Sequence, residues 1–388
     1  MATQKKRILF TGYAPIHFVC FLSVYRLLAA NPEVEIFLSG GFKREGDDGD
    51  ISYSLDGFYE PFSIDMSHVL PIEQVREEHF DVLVSAHLSD SLFPKSVDKK
   101  VQIFHGVSFK NLAVREKALR YDLLCLPGRY HGELYRKSGF VRAGGPRCLI
   151  TGLAKTDPLI TGALDRDSLL EEIGVDPMIP TLLFAPTGEK HNALDVMGKE
   201  VIKAIADDGS WNLLVKPHDH PKKSVNWFEE LAPFESSRVR LVRDKDIIPY
   251  LHAADLLITD ASSVAVEYSI MDRPIVFLDI PKLFKRLKKR APALDLDTYG
   301  RKTGAIAKGP DDVVTVIADS LAHPDREGEI RRRMADHLFH GPGNATRRVA
   351  EVVLYAAGVE SSLPDGVEVL DPESQPQSDG KQHNEQTT

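Results

Sequence analysis

Polar and titratable side chains gather in this chain where short apolar runs end. In Phe104-His105-Gly106-Val107-Ser108-Phe109-Lys110 an imidazole directly follows the run 101–104. Imidazole ionises near neutrality, so at a crevice rim His105 suits general-base work. A lone histidine is more often bonded to a loop carbonyl. Val215-Lys216-Pro217-His218-Asp219-His220-Pro221 ends another run with partners suited to a diphosphate. His218 and His220 also invite a metal reading, but no further ligand set has recognisable spacing, and no metal is expected. Ala185-Pro186-Thr187-Gly188-Glu189-Lys190-His191 is a third cluster rich in donors, and Gly152-Leu153-Ala154-Lys155-Thr156-Asp157 a fourth. The most concentrated cluster is Thr259-Asp260-Ala261-Ser262-Ser263, after the apolar Leu256-Leu257-Ile258. A helical pattern follows it, with Val264, Glu267, Tyr268 and Met271, and Arg273-Pro274 ends that pattern before the run 275–278. The first N–H groups of a helix lack partners and attract anions. An ordinary N-cap needs one such polar residue; here four stand in five positions, which favours a phosphate site.

The elements that must position these clusters read as two α/β series. Arg7 to Gly12 is strand-like, 18–30 helical and Val34 to Leu38 a second strand, a βαβ opening that implies a parallel sheet. Lys43 to Asp65 is a polar excursion. Further strands are expected at 80–85, 101–104, 123–126 and 148–151. Asp176-Pro177-Met178-Ile179-Pro180 reads as a linker. A new series follows, with strands at 181–185, 211–215, 239–242, 256–258 and 275–278 and helices between them. The expected fold is α/β: two Rossmann-like, doubly wound domains facing a central crevice, with sites at the carboxyl ends of strands. The expected divisions are 1–165 on the acceptor side, 166–345 on the nucleotide-donor side, a C-terminal helix at 346–358 and a disordered tail at 359–388, where Pro, Ser, Gln and Asp abound.

The 388 residues suffice for two domains. A net charge of −9 argues against general nucleic-acid binding. Cys20, Cys125 and Cys148 are odd in number and lack metal spacing, which points to packed thiols in a reducing compartment. No signal-peptide core and no membrane-length apolar run is present, so a cytoplasmic protein is expected. Gly12 stands alone after the first strand, without the further glycines of a dinucleotide fingerprint, and no cofactor is expected. A Walker lysine loop is absent, and Ser262-Ser263 lacks the glycines of a nucleophile elbow.

In this order the motifs resemble those of the CDP-glycerol glycerophosphotransferase family, teichoic-acid-type polymerases and primases of GT-B fold. Phe104-His105-Gly106 with Lys110 is similar to the family's aromatic-His-Gly segment, and 152–157 to its Gly-x-Pro-basic-x-Asp segment. Leu183 to Thr187, Lys216-Pro217-His218, and 258–264 with Glu267 and Arg273-Pro274 resemble three more. Gly343-Asn344-Ala345-Thr346-Arg347-Arg348 resembles the closing one. The resemblance implies that His105 deprotonates an acceptor hydroxyl. It implies that Lys216, His218, Thr187, Thr259, Ser262 and Ser263 hold the donor's phosphates, and that Glu267 and Asp260 meet the nucleoside. Ala154 stands where the family has proline, Phe104 where it has tryptophan, and Gly188-Glu189-Lys190 where it has an aromatic-Arg pair. Those positions would touch donor or acceptor, so a CDP-ribitol or nucleotide-sugar donor also fits.

The implied activity is transfer of a glycerol-phosphate-type group from a CDP-linked donor to a hydroxyl of a cell-surface polysaccharide or lipid-linked precursor. A nucleotide-sugar glycosyltransferase, a 2-epimerase-like enzyme and a non-catalytic nucleotide-binding module stay open beside it. Lys282-Leu283-Phe284-Lys285-Arg286-Leu287-Lys288-Lys289-Arg290 interleaves basic and apolar residues. It suits either peripheral contact with an anionic membrane or a solvated helix face.

Overall fold

The computed structural model describes residues 4–46, 50–107, 114–218, 225–290 and 300–372. The first unit contains β1 (Lys6–Gly12), α1 (Pro15–Ala29), β2 (Val34–Gly40), β3 (Phe42–Glu45) and β4 (Ile51–Ser54). It continues through α2 (Ile72–Glu77), β5 (His79–Ser85), β6 (Ser96–Ile103), β7 (Leu123–Leu126), α3 (Arg129–Lys137) and β8 (Arg147–Ile150). Its parallel sheet runs β8-β7-β6-β5-β1-β2. The strands are apolar without alternation because both faces are covered; all four residues of β7 are buried. The hairpin β3-β4 lies in the stretch read as irregular: it is mostly exposed, with Phe42 packed partly buried on the core, and so carries no buried periodicity.

After α4 (Arg166–Glu172), the second unit contains β9 (Thr181–Phe184), α5 (Ala193–Asp208), β10 (Asn212–Val215), α6 (Trp227–Leu231), β11 (Val239–Leu241) and α7 (Ile248–Ala253). Then come β12 (Leu256–Thr259), α8 (Val264–Tyr268), β13 (Ile275–Leu278), α9 (Pro281–Arg290), β14 (Ala305–Ala307) and α10 (Pro310–Ala322). The order β11-β10-β9-β12-β13-β14 is that of a doubly wound nucleotide-binding sheet, with its switch point between β9 and β12. In the first sheet the corresponding reversal lies between β1 and β5.

α11 (Gly328–Leu338) and α12 (Ala345–Ala357) complete the helices. α12 returns to the first unit and packs on α1, β5 and β6. The carboxylate of Asp157 caps its start, accepting from the N–H groups of Gly343 at 2.7 Å, Ala345 at 3.3 Å and Thr346 at 2.7 Å. Arg348 donates to the carbonyls of Thr151 at 2.6 Å and His340 at 2.7 Å. Gly152 has φ +93°, and a Cβ there would lie 2.6 Å from the His340 oxygen. The segment 152–157 and the closing Gly343–Arg348 motif are therefore two sides of one strap. One apolar cluster runs from Phe18 and Val353 through Leu159, Leu170 and Tyr250 to Leu183 and Leu257, joining the units.

The expected disordered tail needs correction. Its residues 359–372 are described, and β15 (Glu368–Val369) adds antiparallel to β8. Leu370 is buried beside Gly132 and Ile150, and Val359, Leu363 and Val367 pack partly buried on the core, so scattered apolar side chains anchor the segment. Residues 373–388 lie outside the described part.

Candidate active site

Three loops of the second unit meet where the strand order reverses. Thr187-Gly188 follows β9, Lys216-Pro217-His218 follows β10, and Asp260–Ser263 follows β12, on adjacent strands. The ring of His218 is exposed and lies against Gly188, where a Cβ would come within 2.7 Å of Nδ1. Glycine at 188 thus gives the imidazole its place. Lys216 is buried, and its ammonium donates to the Asp244 carbonyl at 2.6 Å. Asp246 stands close by; burial raises its pKa, opposed by the Ile248 N–H and by Lys155 and Lys216. Ser262 and Ser263 are half-buried, and neither hydroxyl makes a hydrogen bond among the described residues.

Thr259 and Asp260 do not fit the phosphate and nucleoside roles expected of them. Thr259 is fully buried, and its hydroxyl donates to the Ala185 carbonyl at 2.7 Å. Asp260 is buried; its carboxylate accepts from the N–H groups of Thr187 and Ala193, each at 2.8 Å. These two residues build the cradle by tying β12 to the loop after β9. Thr187 is held the same way and is itself buried. α8 is only five residues long, so it adds little dipole to the site.

Glu267 likewise departs from the ribose role. It is buried and pairs with Lys155 at 2.7 Å, the two side chains being 2% and 4% exposed. Burial works against the Lys155 ammonium, but Glu267, Cys20 and Asp246 together hold its pKa above the usual value. This ion pair joins the units directly beneath the loop that carries His105. A Cβ on Gly106 would lie 3.4 Å from Glu267 Oε1 and 3.8 Å from Lys155 Nζ.

His105 is enclosed by protein on several sides yet keeps an exposed edge, as a residue lining a crevice does. Its Nδ1 lies 3.1 Å from the Ala86 carbonyl. A carbonyl only accepts, so Nδ1 carries the proton and Nε2 keeps its lone pair. Burial lowers the pKa of His105, the Ala86 bond opposes this, and Lys155 lowers it further. Phe104 is buried and packs at a tilt on His131, ring centroids 5.4 Å apart. Ala154 is buried too, so both departures sit inside the protein interior.

Sequence reasoning missed two residues beside His105. His17, on α1, lies 5.9 Å from it between ring centroids, and His87, after β5, lies 5.2 Å from His17. Tyr13 packs on both, at 4.5 and 4.8 Å. The signal available was position alone, since both histidines follow strands flanking the first switch point. Among the described residues no group of three or more His, Cys, Asp or Glu is placed to hold a metal ion. In α9, Leu283, Phe284 and Leu287 are buried, and Leu283 and Leu287 belong to the core of the second unit. The apolar face expected to meet a membrane is therefore already used. Lys282 and Lys285 are exposed, and Arg286 pairs with Glu189 at 2.7 Å. No helix among the described residues is long and apolar enough to cross a membrane.

Comparison with known proteins agrees with this architecture. A variant of the wall teichoic acid polymerase TagF superposes with a TM-score of 0.66 at 17% identity, covering 92% of this chain and 89% of that one. A putative UDP-N-acetylglucosamine 2-epimerase from Listeria monocytogenes superposes at 0.60 with 16% identity, over 94% and 99% of the chains. In sequence, a teichoic acid poly(glycerol phosphate) polymerase of Staphylococcus epidermidis is 25% identical over 240 residues, 52% of this chain and 32% of the relative. A teichoic acid glycerol-phosphate primase of Bacillus spizizenii is 22% identical over 243 residues, 60% of this chain and 58% of the relative. The chain thus spans about a third to somewhat over half of these relatives. Residues 81–355 match the CDP-Glycerol:Poly(glycerophosphate) glycerophosphotransferase family, and the chain belongs to that family.

Proposed function

We propose that this protein transfers glycerol phosphate from CDP-glycerol to a hydroxyl of a teichoic-acid-type polymer or its lipid-linked precursor. The observation that carries the reading is His105: its Nδ1 proton is held by the Ala86 carbonyl, so the lone pair of Nε2 serves as the base. Family membership supports the donor class, as does a TagF structure obtained after soaking with CDPG. In the reaction the acceptor oxygen attacks the phosphorus that bears glycerol. The bond from that phosphorus to the bridging oxygen breaks, CMP leaves with the electron pair, and the hydroxyl proton passes to His105 Nε2. His218 with the hydroxyls of Ser262 and Ser263 meets the diphosphate, and Lys216 adds positive charge beneath it. Phosphoryl transfer depends on such positioning and charge stabilisation more than on covalent chemistry.

The units divide the work: residues 1–165 with α12 and β15 offer the base and the acceptor, and 166–345 hold the donor. The acceptor reaches the crevice at an anionic surface met by Lys282 and Lys285. The test is CMP release from CDP-glycerol with a glycerol-phosphate-terminated acceptor. His105→Ala is expected to lose about 10²–10⁴-fold in kcat with unchanged donor Kd. Full turnover by His105→Ala refutes the base assignment. Turnover of UDP-N-acetylglucosamine without turnover of CDP-glycerol refutes the donor.

A further inference from the structure

The three histidines at the β1/β5 switch point have tautomers that their hydrogen bonds determine. Tyr13 N–H donates to His17 Nδ1 at 3.2 Å, so neutral His17 carries its proton on Nε2. Ser89 N–H donates to His87 Nδ1 at 3.2 Å, and His87 Nε2 then donates to Thr11 Oγ1 at 3.3 Å. Both nitrogens of His87 are thereby used. His105 is the reverse of His17: the proton sits on Nδ1 and Nε2 is the acceptor. Among the described residues, neither Nε2 of His17 nor Nε2 of His105 has a hydrogen-bond partner, and the two rings do not bond each other. His131, by contrast, has both nitrogens sealed from solvent without partners; Nε2 of His17 is not among such sealed atoms.

A donor and an acceptor thus flank the same end of the crevice on rings 5.9 Å apart. We propose that His17 is the second contact on the attacking acceptor hydroxyl, which makes the β1/β5 switch point a subsite for an uncharged alcohol. A hydroxyl has one proton and two lone pairs. Its proton points to His105 Nε2, one lone pair accepts the His17 Nε2–H, and the other is left to face phosphorus. One N–H···O and one O–H···N bond of ~2.8 Å at a near-tetrahedral oxygen place the two nitrogens about 4.6 Å apart, a span compatible with rings whose centroids are 5.9 Å apart. The inference rests on the transferase reading and adds the acceptor contact to it.

The surroundings fit an alcohol better than a phosphate. Burial pushes the pKa of His17 well below its usual value, with His87 and His105 adding to the effect. Burial lowers His87 to about 4. His131 stands behind the cluster on α3, and burial lowers it to about 4 as well. The charged groups facing His105, Lys155 of its own unit and Glu267 of the other, neutralise each other. The three imidazoles therefore carry no net positive charge for an anion at neutral pH; the cation beside the cluster, Arg115, acts on Tyr13.

Two measurements on the full chain decide the matter. Long-range proton–nitrogen spectra of the imidazoles at pH 7.5 should show His17 protonated at Nε2 and His105 at Nδ1. Adding glycerophosphoglycerol should shift both Nε2 resonances and leave His323, on the surface, unmoved. Equal tautomers, or no shift at saturating probe, would overturn the assignment. In kinetics, His17→Phe should lower kcat/KM for the acceptor about 100-fold with CDP-glycerol Kd within twofold. His17→Gln, which keeps a donor near Nε2, should recover most of that loss. Equal loss in both variants, or unchanged acceptor kinetics in His17→Phe, also overturns it. If wild type releases no CMP, the transferase reading fails while the spectra still test the subsite.

Discussion

Removing the Lys155 ammonium tests how the two units are joined beneath His105. Lys155→Met takes away the one partner that the Glu267 carboxylate has among the described residues, and its Oε2 is already buried without one. A carboxylate left this way escapes an unpaired buried charge by taking up a proton. At pH 7 that uptake costs an ordinary glutamic acid about 4 kcal/mol. This lies within the ~3–5 kcal/mol typical of breaking one side of a buried pair. Because the cost is a proton, it should shrink by about 1.4 kcal/mol for each pH unit below 7. Lys155→Met/Glu267→Leu removes both charges and should lie within about 1 kcal/mol of wild type. Urea unfolding of the wild type, both single variants and the double at pH 7.5 and 6 supplies the full cycle. The pH–rate profile gives a second readout: Lys155 lowers the pKa of His105, so Lys155→Met should move the acidic limb of kcat/KM to higher pH. A single-variant cost below about 1 kcal/mol, or one independent of pH, would refute the assignment of Lys155–Glu267 as a tight inter-unit pair.

Gly188→Ala should displace the His218 ring, since the new Cβ would lie 2.7 Å from Nδ1; CMP release should fall at least tenfold with the melting temperature within a few degrees of wild type. Thr259→Val should cost about 1–2 kcal/mol by stranding the Ala185 carbonyl, whereas Ser262→Ala should leave stability within about 0.5 kcal/mol and raise donor KM; denaturation and steady-state kinetics separate the two. Burial lowers the pKa of His17, His87, His105 and His131, so the unfolded chain takes up protons that the folded chain does not. Their contribution to stability is therefore present above the unfolded pKa of about 6.5 and is lost as pH falls from there toward about 4. His131→Leu removes one such group and two unpartnered nitrogens, and should raise the melting temperature at pH 5 more than at pH 8. Lys282→Glu/Lys285→Glu should abolish flotation with anionic vesicles if the exposed lysines meet the acceptor's membrane; flotation unchanged by the double substitution would exclude that surface.

Much of the fold was legible because buried parallel strands are continuous apolar runs. The expected strand at 123–126 coincides with β7, and the expected run at 275–278 with β13. What stayed hidden was carried by little apolar periodicity. The hairpin β3-β4 is mostly exposed, and β15 is only two residues long. Within the candidate site, residue type singled out loops that the sheet brings side by side, but not the duty of each side chain. Thr259, Asp260, Ser262 and Ser263 read alike in sequence. In the structure the first two are sealed in backbone bonds, and the serine hydroxyls make none among the described residues. His17 and His87 escaped notice because their partner is 88 and 18 residues away along the chain, and only the sheet order brings the three rings together.

The sequence by itself determined where strands end, and therefore where polar groups collect, because an apolar run must stop where the sheet meets water. It also carried the ordered motifs that mark the family. Tertiary structure alone decided which polar groups are structural and which face the crevice. That choice depends on contacts between residues far apart in the chain: Asp157 with the start of α12, Asp260 with the loop after β9, Glu267 with Lys155. A buried donor or acceptor must find a partner, and those partners exist only once the two sheets have come together.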